Sequence, residues 1–113
     1  MADPYVLRDK RDFNDLYHNG RSVADRYVVL FYKENGFGYN RTCFVASKKV
    51  GNAVERNRAR RLMKEAYRTM LPLKEGYDII FIARNTIGGR KCQEVRTSLE
   101  HAAAKAKLIN KEK

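Results

Sequence analysis

Long apolar runs are missing: nowhere in this 113-residue chain does an apolar stretch approach the ~20 residues that cross a bilayer, so no membrane-spanning helix is expected. Cysteine is scarce. Cys43 and Cys92 stand 49 residues apart, with no Cys-x-x-Cys pair and no Cys/His cluster, whereas a structural zinc ion takes about four ligands arriving in close pairs. Both thiols are expected to be reduced and to pack as small apolar groups. Histidine occurs twice, and neither His18 nor His101 belongs to a recognisable nucleophile–base pair. Acidic residues are outnumbered, 13 against 24 Lys and Arg, and lie scattered among the cations, so no carboxylate constellation for catalytic metal ions is visible. Hence no catalytic residue and no metal ligand is assigned, and no phosphodiester cleavage by the isolated chain is expected. The opening Met1-Ala2-Asp3-Pro4-Tyr5 has neither the basic nor the apolar region of a secretory signal, so a cytoplasmic protein is expected.

What is present is a core and an excess of positive charge. Hydrophobic residues make up 43% of the chain, with five Phe and seven Tyr, enough to bury a core and too many for a disordered basic tail. The length suits a single domain over 1–113. The net charge of +11 implies a polyanionic partner, and its distribution sharpens that: residues 1–46 carry +1, residues 47–68 carry +6 and residues 69–113 carry +4. A concentrated patch points to a specific anionic ligand rather than to solubility alone.

Periodicity places the elements. Phe13, Leu16 and Tyr17 fall at i, i+3, i+4, predicting an amphipathic helix from about residue 9 to 18 that ends at Asn19-Gly20. Residues 27–32, rich in β-branched and aromatic side chains, predict a strand; residues 22–24 are either a short strand or its beginning. Glu34-Asn35-Gly36 reads as the turn into a second strand over about 39–47. Ala59, Leu62, Met63, Ala66, Tyr67 and Met70 keep helical spacing over 53–70, ending before Pro72. The nearly continuous apolar run 77–83 predicts a central strand, and Val95, Leu99, Ala102, Ala103 and Ala106 predict the inner face of a last helix over about 93–108. The expected fold is α+β, one sheet of about four strands packed with helices in the order α-β-β-(β)-α-β-α.

The helix beginning at residue 53 contradicts its own local rules. Arg56, Arg58, Arg60 and Arg61 crowd its first two turns, behind Lys48 and Lys49, although a helix N-terminus carries partial positive charge. Arg56, Arg60 and Lys64 repeat at i+4, and each like-charged pair costs an isolated helix ~0.2–0.5 kcal/mol. Bound phosphates would reverse both penalties: arginines offer forked donors, Gly51 and the helix start offer N–H groups, and Asn52 and Asn57 can reach sugar or base edges. A basic helix set between strands, rather than in a compact helical domain, favours structured RNA over a DNA major groove. A second, weaker feature is the mixing of Phe13 and Tyr17 with Arg8, Lys10, Arg11 and Arg21, since stacking rings beside cations suit a single strand. Aromatic residues at such positions also serve as core, and both readings stand at this point.

Ser47-Lys48-Lys49-Val50-Gly51-Asn52-Ala53-Val54-Glu55-Arg56-Asn57-Arg58-Ala59-Arg60-Arg61-Leu62 closely resembles the signature of the bacterial ribonuclease P protein component, an Arg-Asn-Arg core flanked by Lys-Lys-x-Gly-Asn-Ala-Val. The similarity extends through Asp12-Phe13, Leu16-Tyr17, Gly20-Arg21-Ser22, the 27–31 strand, the Ile-Ala-Arg ending at Arg84, and Ser98-Leu99. The resemblance implies a subunit of a ribonucleoprotein endonuclease that removes the 5′ leader from precursor tRNA, with catalysis by the RNA and Mg²⁺ held mainly by that RNA. It implies that Lys48, Lys49, Asn52, Arg56, Asn57, Arg58, Arg60, Arg61 and Lys64 face the catalytic RNA, and that Arg8, Lys10, Arg11, Phe13, Tyr17 and Phe31 serve the single-stranded leader. It also implies a left-handed β-α-β crossover, against the usual hand. Asp9 interrupts a stretch that is more uniformly basic in the family. From the residues themselves, a structural RNA-binding protein and a protein nuclease are the rivals; the first would not need the aromatic groove, and the second would need the carboxylates that are missing.

Overall fold

The computed structural model describes residues 3–110. The elements are α1 (Lys10–Asn19), β1 (Arg21–Ala24), β2 (Val28–Glu34), β3 (Arg41–Val45), α2 (Ala53–Thr69), β4 (Tyr77–Ala83) and α3 (Cys92–Lys105), with a 3₁₀ turn at Asn85–Ile87. The short stretch at 22–24 is therefore a strand of its own. The four strands form one mixed sheet in the order β1-β2-β4-β3. β1 pairs antiparallel with β2 and β2 with β4, while β3 runs parallel to β4.

This order corrects the hairpin expected at Glu34-Asn35-Gly36. β2 and β3 do not pair, because β4 enters between them. The reason lies in composition: Ile79, Ile80 and Phe81 are all fully buried, and a strand apolar on both faces is buried only at the centre. The tight hairpin is instead β1–β2, whose register joins Ala24 to Val29.

Period-two alternation sorts the sheet's side chains between its faces. Val28, Leu30, Tyr32, Phe44, Ile79 and Phe81 face α2 and α3, and with Met63, Val95 and Leu99 they build the larger core. All five residues expected on the inner face of α3 are buried there. The opposite face carries three rows that the register lines up across β2, β4 and β3: Lys33, Asp78, Arg41; Phe31, Ile80, Cys43; and Val29, Ile82, Val45. Leu7 and Leu16 cover Ile80 and make a smaller core.

Helix α1 is held across the first of these rows by charge. Arg41 grips Asp78 with two guanidinium nitrogens, at 2.8 Å and 2.6 Å, and reaches Asp12 of α1 at 3.3 Å. Lys33 pairs with Asp15 one turn along. The Asp78 carboxylate raises the Arg41 pKa further above its ordinary range. Because both side chains of the Arg41–Asp78 pair are mostly shielded, at 19% and 12% exposure, removing one partner leaves a charge poorly solvated. Arg41→Ala is expected to cost about 2 kcal/mol of stability, read as a lower urea midpoint with an unchanged slope.

Candidate nucleic-acid interface

With its acidic side turned to the first row, α1 turns Phe13 and Tyr17 toward the other two. Their rings lie 6.4 Å apart and nearly parallel, at 8°, as i, i+4 neighbours on a helix can. Tyr17 then stacks on Phe31 of β2, 4.9 Å between centroids. Phe13 and Phe31 are half-buried around the smaller core, while Tyr17 is 48% exposed. Beside this ladder the half-buried row Val29, Ile82, Val45 forms an apolar floor that α1 leaves partly open. Tyr27, Tyr32 and Phe44, equally plausible from sequence, belong to the larger core. Alternation along β2 and β3 sends Tyr32 and Phe44 to that core, while Tyr27 precedes β2 and donates its N–H to Ser98 Oγ of α3. Cys43 stands in the row above the floor, and burial pushes its thiol pKa up, which keeps it a neutral packing group.

Arg8, Lys10 and Arg11 are exposed at the start of α1, on the side of the sheet where Leu7 donates its N–H to the carbonyl of Thr42. Asp9, the acid out of place among them, is the helix N-cap, and its carboxylate accepts from the N–H of Arg11 at 2.8 Å. That N–H holds the Asp9 carboxyl below its ordinary range, against the opposing effect of desolvation. The acid is thus explained by the fold of α1.

The start of α2 shows why its crowded arginines do not unravel it. Asn52 is the N-cap: its Oδ1 accepts from the N–H of Glu55 at 2.9 Å, while Glu55 Oε1 accepts from the N–H of Asn52 at 2.8 Å. This reciprocal capping box is worth ~1 kcal/mol, and full burial of Met63 adds ~1.5–3 kcal/mol. Two like-charged pairs at ~0.2–0.5 kcal/mol each do not outweigh them. Asn-x-x-Glu spells the box in the sequence, where the basic residues around Gly51 and Asn52 draw attention to RNA instead. Asn52 Oδ1 is committed to the cap, and Asn57 Oδ1 accepts from Arg60. Gly51 has φ +148°, and a Cβ there would meet Glu55 Oε1 at 2.1 Å. Gly51→Ala is therefore expected to push Glu55 out of the cap and cost about 1–2 kcal/mol, measurable by thermal unfolding followed at the helix band.

The candidate cations of α2 divide between two sides. Arg56, Arg60 and Lys64 run along the side that carries Tyr67, which packs edge-on against Phe44 of β3 at 5.6 Å. Arg58 points the other way and donates Nη2 to the carbonyl of Arg90, before α3, at 3.2 Å. Arg56 and Arg60 are half-buried, Arg56 donating to the carbonyl of Gly51 at 3.1 Å. Arg58, Arg61, Lys64, Lys48 and Lys49 are exposed. Because β3 and β4 are parallel and β2 opposes them, the ends of β3 and β4, the beginning of β2 and the N-termini of α2 and α3 gather at one end of the sheet. Lys48, Lys49, Arg84 and Arg26 all flank strands there, whereas Asp78, Asp12 and Asp15 belong to the far row. The apolar floor opens toward the basic end.

The family comparison adds the rest. The profile of the Ribonuclease P family matches residues 1–107. The chain belongs to the ribonuclease P protein family. Among its relatives, the ribonuclease P protein component of Alkaliphilus oremlandii is 41% identical over 105 residues, 92% of each chain. That of Alkaliphilus metalliredigens is 41% identical over 111 residues, 97% of this chain and 100% of the relative. The fold matches the RNase P protein of Staphylococcus aureus with a TM-score of 0.80 at 32% identity, covering 96% of this chain and 100% of that one. It matches the RNase P protein of Thermotoga maritima with a TM-score of 0.76 at 29% identity, covering 88% and 96%. The chain is thus the ribonuclease P protein component of tRNA processing, part of an endoribonuclease complex. Among the described residues of this family member, no three of His, Cys, Asp and Glu gather to hold a metal ion, and no helix is long and apolar enough to cross a membrane. Sequence reasoning missed the Arg41–Asp78–Asp12 network, in which Arg41 and Asp78 are 37 residues apart and meet only through the register of β3 and β4, and the Ser98 hydroxyl, buried in α3, that donates to Asp25 at 2.7 Å.

Proposed function

We propose that this ribonuclease P protein holds the single-stranded 5′ leader of precursor tRNA in the cleft between α1 and the sheet, and binds the catalytic RNA through the basic end around α2. The observation that carries the proposal is the ladder Phe13–Tyr17–Phe31, standing beside an apolar floor and opening toward Lys48 and Lys49. Ring faces accept bases of any sequence, and cations at both ends of the cleft, Arg8, Lys10 and Arg11 at one and the lysine pair at the other, track the backbone. A structural RNA-binding protein has no need of such a cleft. On this reading α2 meets the catalytic RNA with Lys48, Lys49, Arg56, Arg58, Arg60, Arg61 and Lys64, and Asn52 and Asn57 act there chiefly by ordering the helix start and the arginines.

The chain's part in the reaction is binding and screening. Mg²⁺, held by the RNA, supplies charge stabilisation for the hydrolysis of the phosphodiester. The cations of α2 replace counterions that two packed RNAs would otherwise require, in the cytoplasm where the precursor is processed. The test is cleavage of precursor tRNA at low Mg²⁺ by the chain alone, the catalytic RNA alone, and both. The expected result is no cleavage by the chain, weak cleavage by the RNA, and strong cleavage by the pair. Cleavage by the chain alone would overturn the division of labour, and absence of enhancement would overturn the assignment.

A further inference from the structure

The cations of residues 69–113, which the cleft and the outer side of α2 leave unused, include a group beside Arg58. The carbonyl that Arg58 reaches belongs to Arg90, and the Arg90 guanidinium lies 5.8 Å from the centroid of the Tyr27 ring. Arg26 lies 6.0 Å from the same centroid. One buried tyrosine thus holds two arginines, an arrangement that fixes guanidinium planes without neutralising them. Arg26 is also braced through its carbonyl, which accepts from Thr86 Oγ1 at 2.6 Å. From Tyr27 an open groove of about 510 Å³ runs between the β1–β2 turn and α3, lined in part by Arg26, Lys91, Gln93, Thr97 and His101.

The acids of the groove are already engaged. Asp25 is held by Lys105 at 3.0 Å and by the Ser98 hydroxyl at 2.7 Å. Glu94 accepts from the N–H of Lys91 at 2.9 Å and faces Arg90 at 3.5 Å. No carboxylate lies within ion-pair distance of Arg26, Arg58 or Lys91 among the described residues. Arg90 Nε is buried with no hydrogen-bond partner, its guanidinium held between the Tyr27 ring and Glu94. Uncompensated guanidinium and ammonium groups, preset around a groove within the ~300–1,000 Å³ range that takes a nucleotide-sized group, describe a site for phosphodiester backbone.

We propose that the groove between the β1–β2 turn and α3 binds the backbone of the catalytic RNA, with Arg26 and Lys91 as phosphate contacts, and that it continues the surface of Arg58 around the α3 side of α2. This rests on the reading of α2 as the face for the catalytic RNA. Folded catalytic RNA is favoured over leader because the groove lies on the face of the sheet opposite the aromatic cleft.

The test is binding of the full chain to the ribonuclease P RNA from the same genome across a range of salt, and to precursor and mature tRNA in the assembled holoenzyme. The double variant Arg26→Ala, Lys91→Ala alters two exposed side chains and is expected to bind the RNA about tenfold more weakly at low salt, with the log–log salt slope reduced by about 1–2. The preference for precursor over mature tRNA should not change. Arg26→Lys, which keeps charge but loses the planar fork, is expected to recover the slope more than the affinity. Unchanged affinity and slope in the double variant, with Arg58→Ala still weakening RNA binding, overturns the groove alone. If Arg58→Ala is silent as well, the reading of α2 falls with it. Loss confined to the precursor preference would assign the groove to substrate and overturn the proposal.

Discussion

Arg58→Ala is expected to weaken association with the catalytic RNA by about 10–100-fold near 0.1 M salt, and Arg58→Ala with Arg61→Ala by more than about 100-fold. The magnitude follows from charge-assisted hydrogen bonds to phosphate, worth ~1.5–3 kcal/mol each. Both side chains are exposed, and among the described residues the hydrogen bond of Arg58 is the 3.2 Å contact to a carbonyl, so the folded chain should survive either change. Arg56 is a poorer probe, since its loss also removes a contact to the Gly51 carbonyl and would confuse binding with folding. Filter binding or anisotropy across a salt series measures the effect. Each lost phosphate contact lowers the log–log slope by about 0.7–0.9. Unchanged affinity and slope would mean that the arginines of α2 face solvent.

Tyr17→Ala carries the second large effect. Base–aromatic stacking is worth ~1–3 kcal/mol per base, so binding of precursor tRNA to the holoenzyme should fall by about 5–100-fold while mature tRNA is held as before. Tyr17 is preferable to its neighbours in the ladder. It is 48% exposed, whereas Phe13 and Phe31 pack around Leu7, Leu16 and Ile80, and truncating either would open a cavity as well. Equal losses for precursor and mature tRNA would identify the ring as packing. Tyr17→Phe should bind almost as wild type, because a ring face, not the hydroxyl, is what a stacked base meets.

Both variants differ in kind from the substitutions aimed at the frame. Gly51→Ala acts through Glu55 and the start of α2, and Arg41→Ala through the seat of α1. Each is expected to lower stability first, with any loss of RNA binding following the population of the folded form and recovering with temperature or with saturating RNA.

The elements were legible because each obeys a local period. The 77–83 strand has the same bounds in sequence and structure, since an apolar run with β-branched side chains has few alternatives. The inward face of α3 was legible for the same reason, as was the concentration of +6 in residues 47–68. The chain by itself therefore determined the set of helices and strands, the polyanionic character of its partner and, through the run from Ser47 to Leu62, its family. Tertiary structure decided what depends on pairs distant in sequence. Insertion of β4 between β2 and β3 is a contest between strands for the central place, won by the one apolar on both faces. The faces of the sheet told Phe31 from Tyr32, adjacent aromatics whose opposite directions put one in the cleft and the other in the core. The capping box gave Asn52 and Gly51 a part in starting α2 that the basic motif alone does not show, and Arg58 was separated from Arg56 and Arg60 by the helical turn that sends it toward Arg90. Local periodicity fixes where a side chain can point; only packing across the sheet decides what it meets.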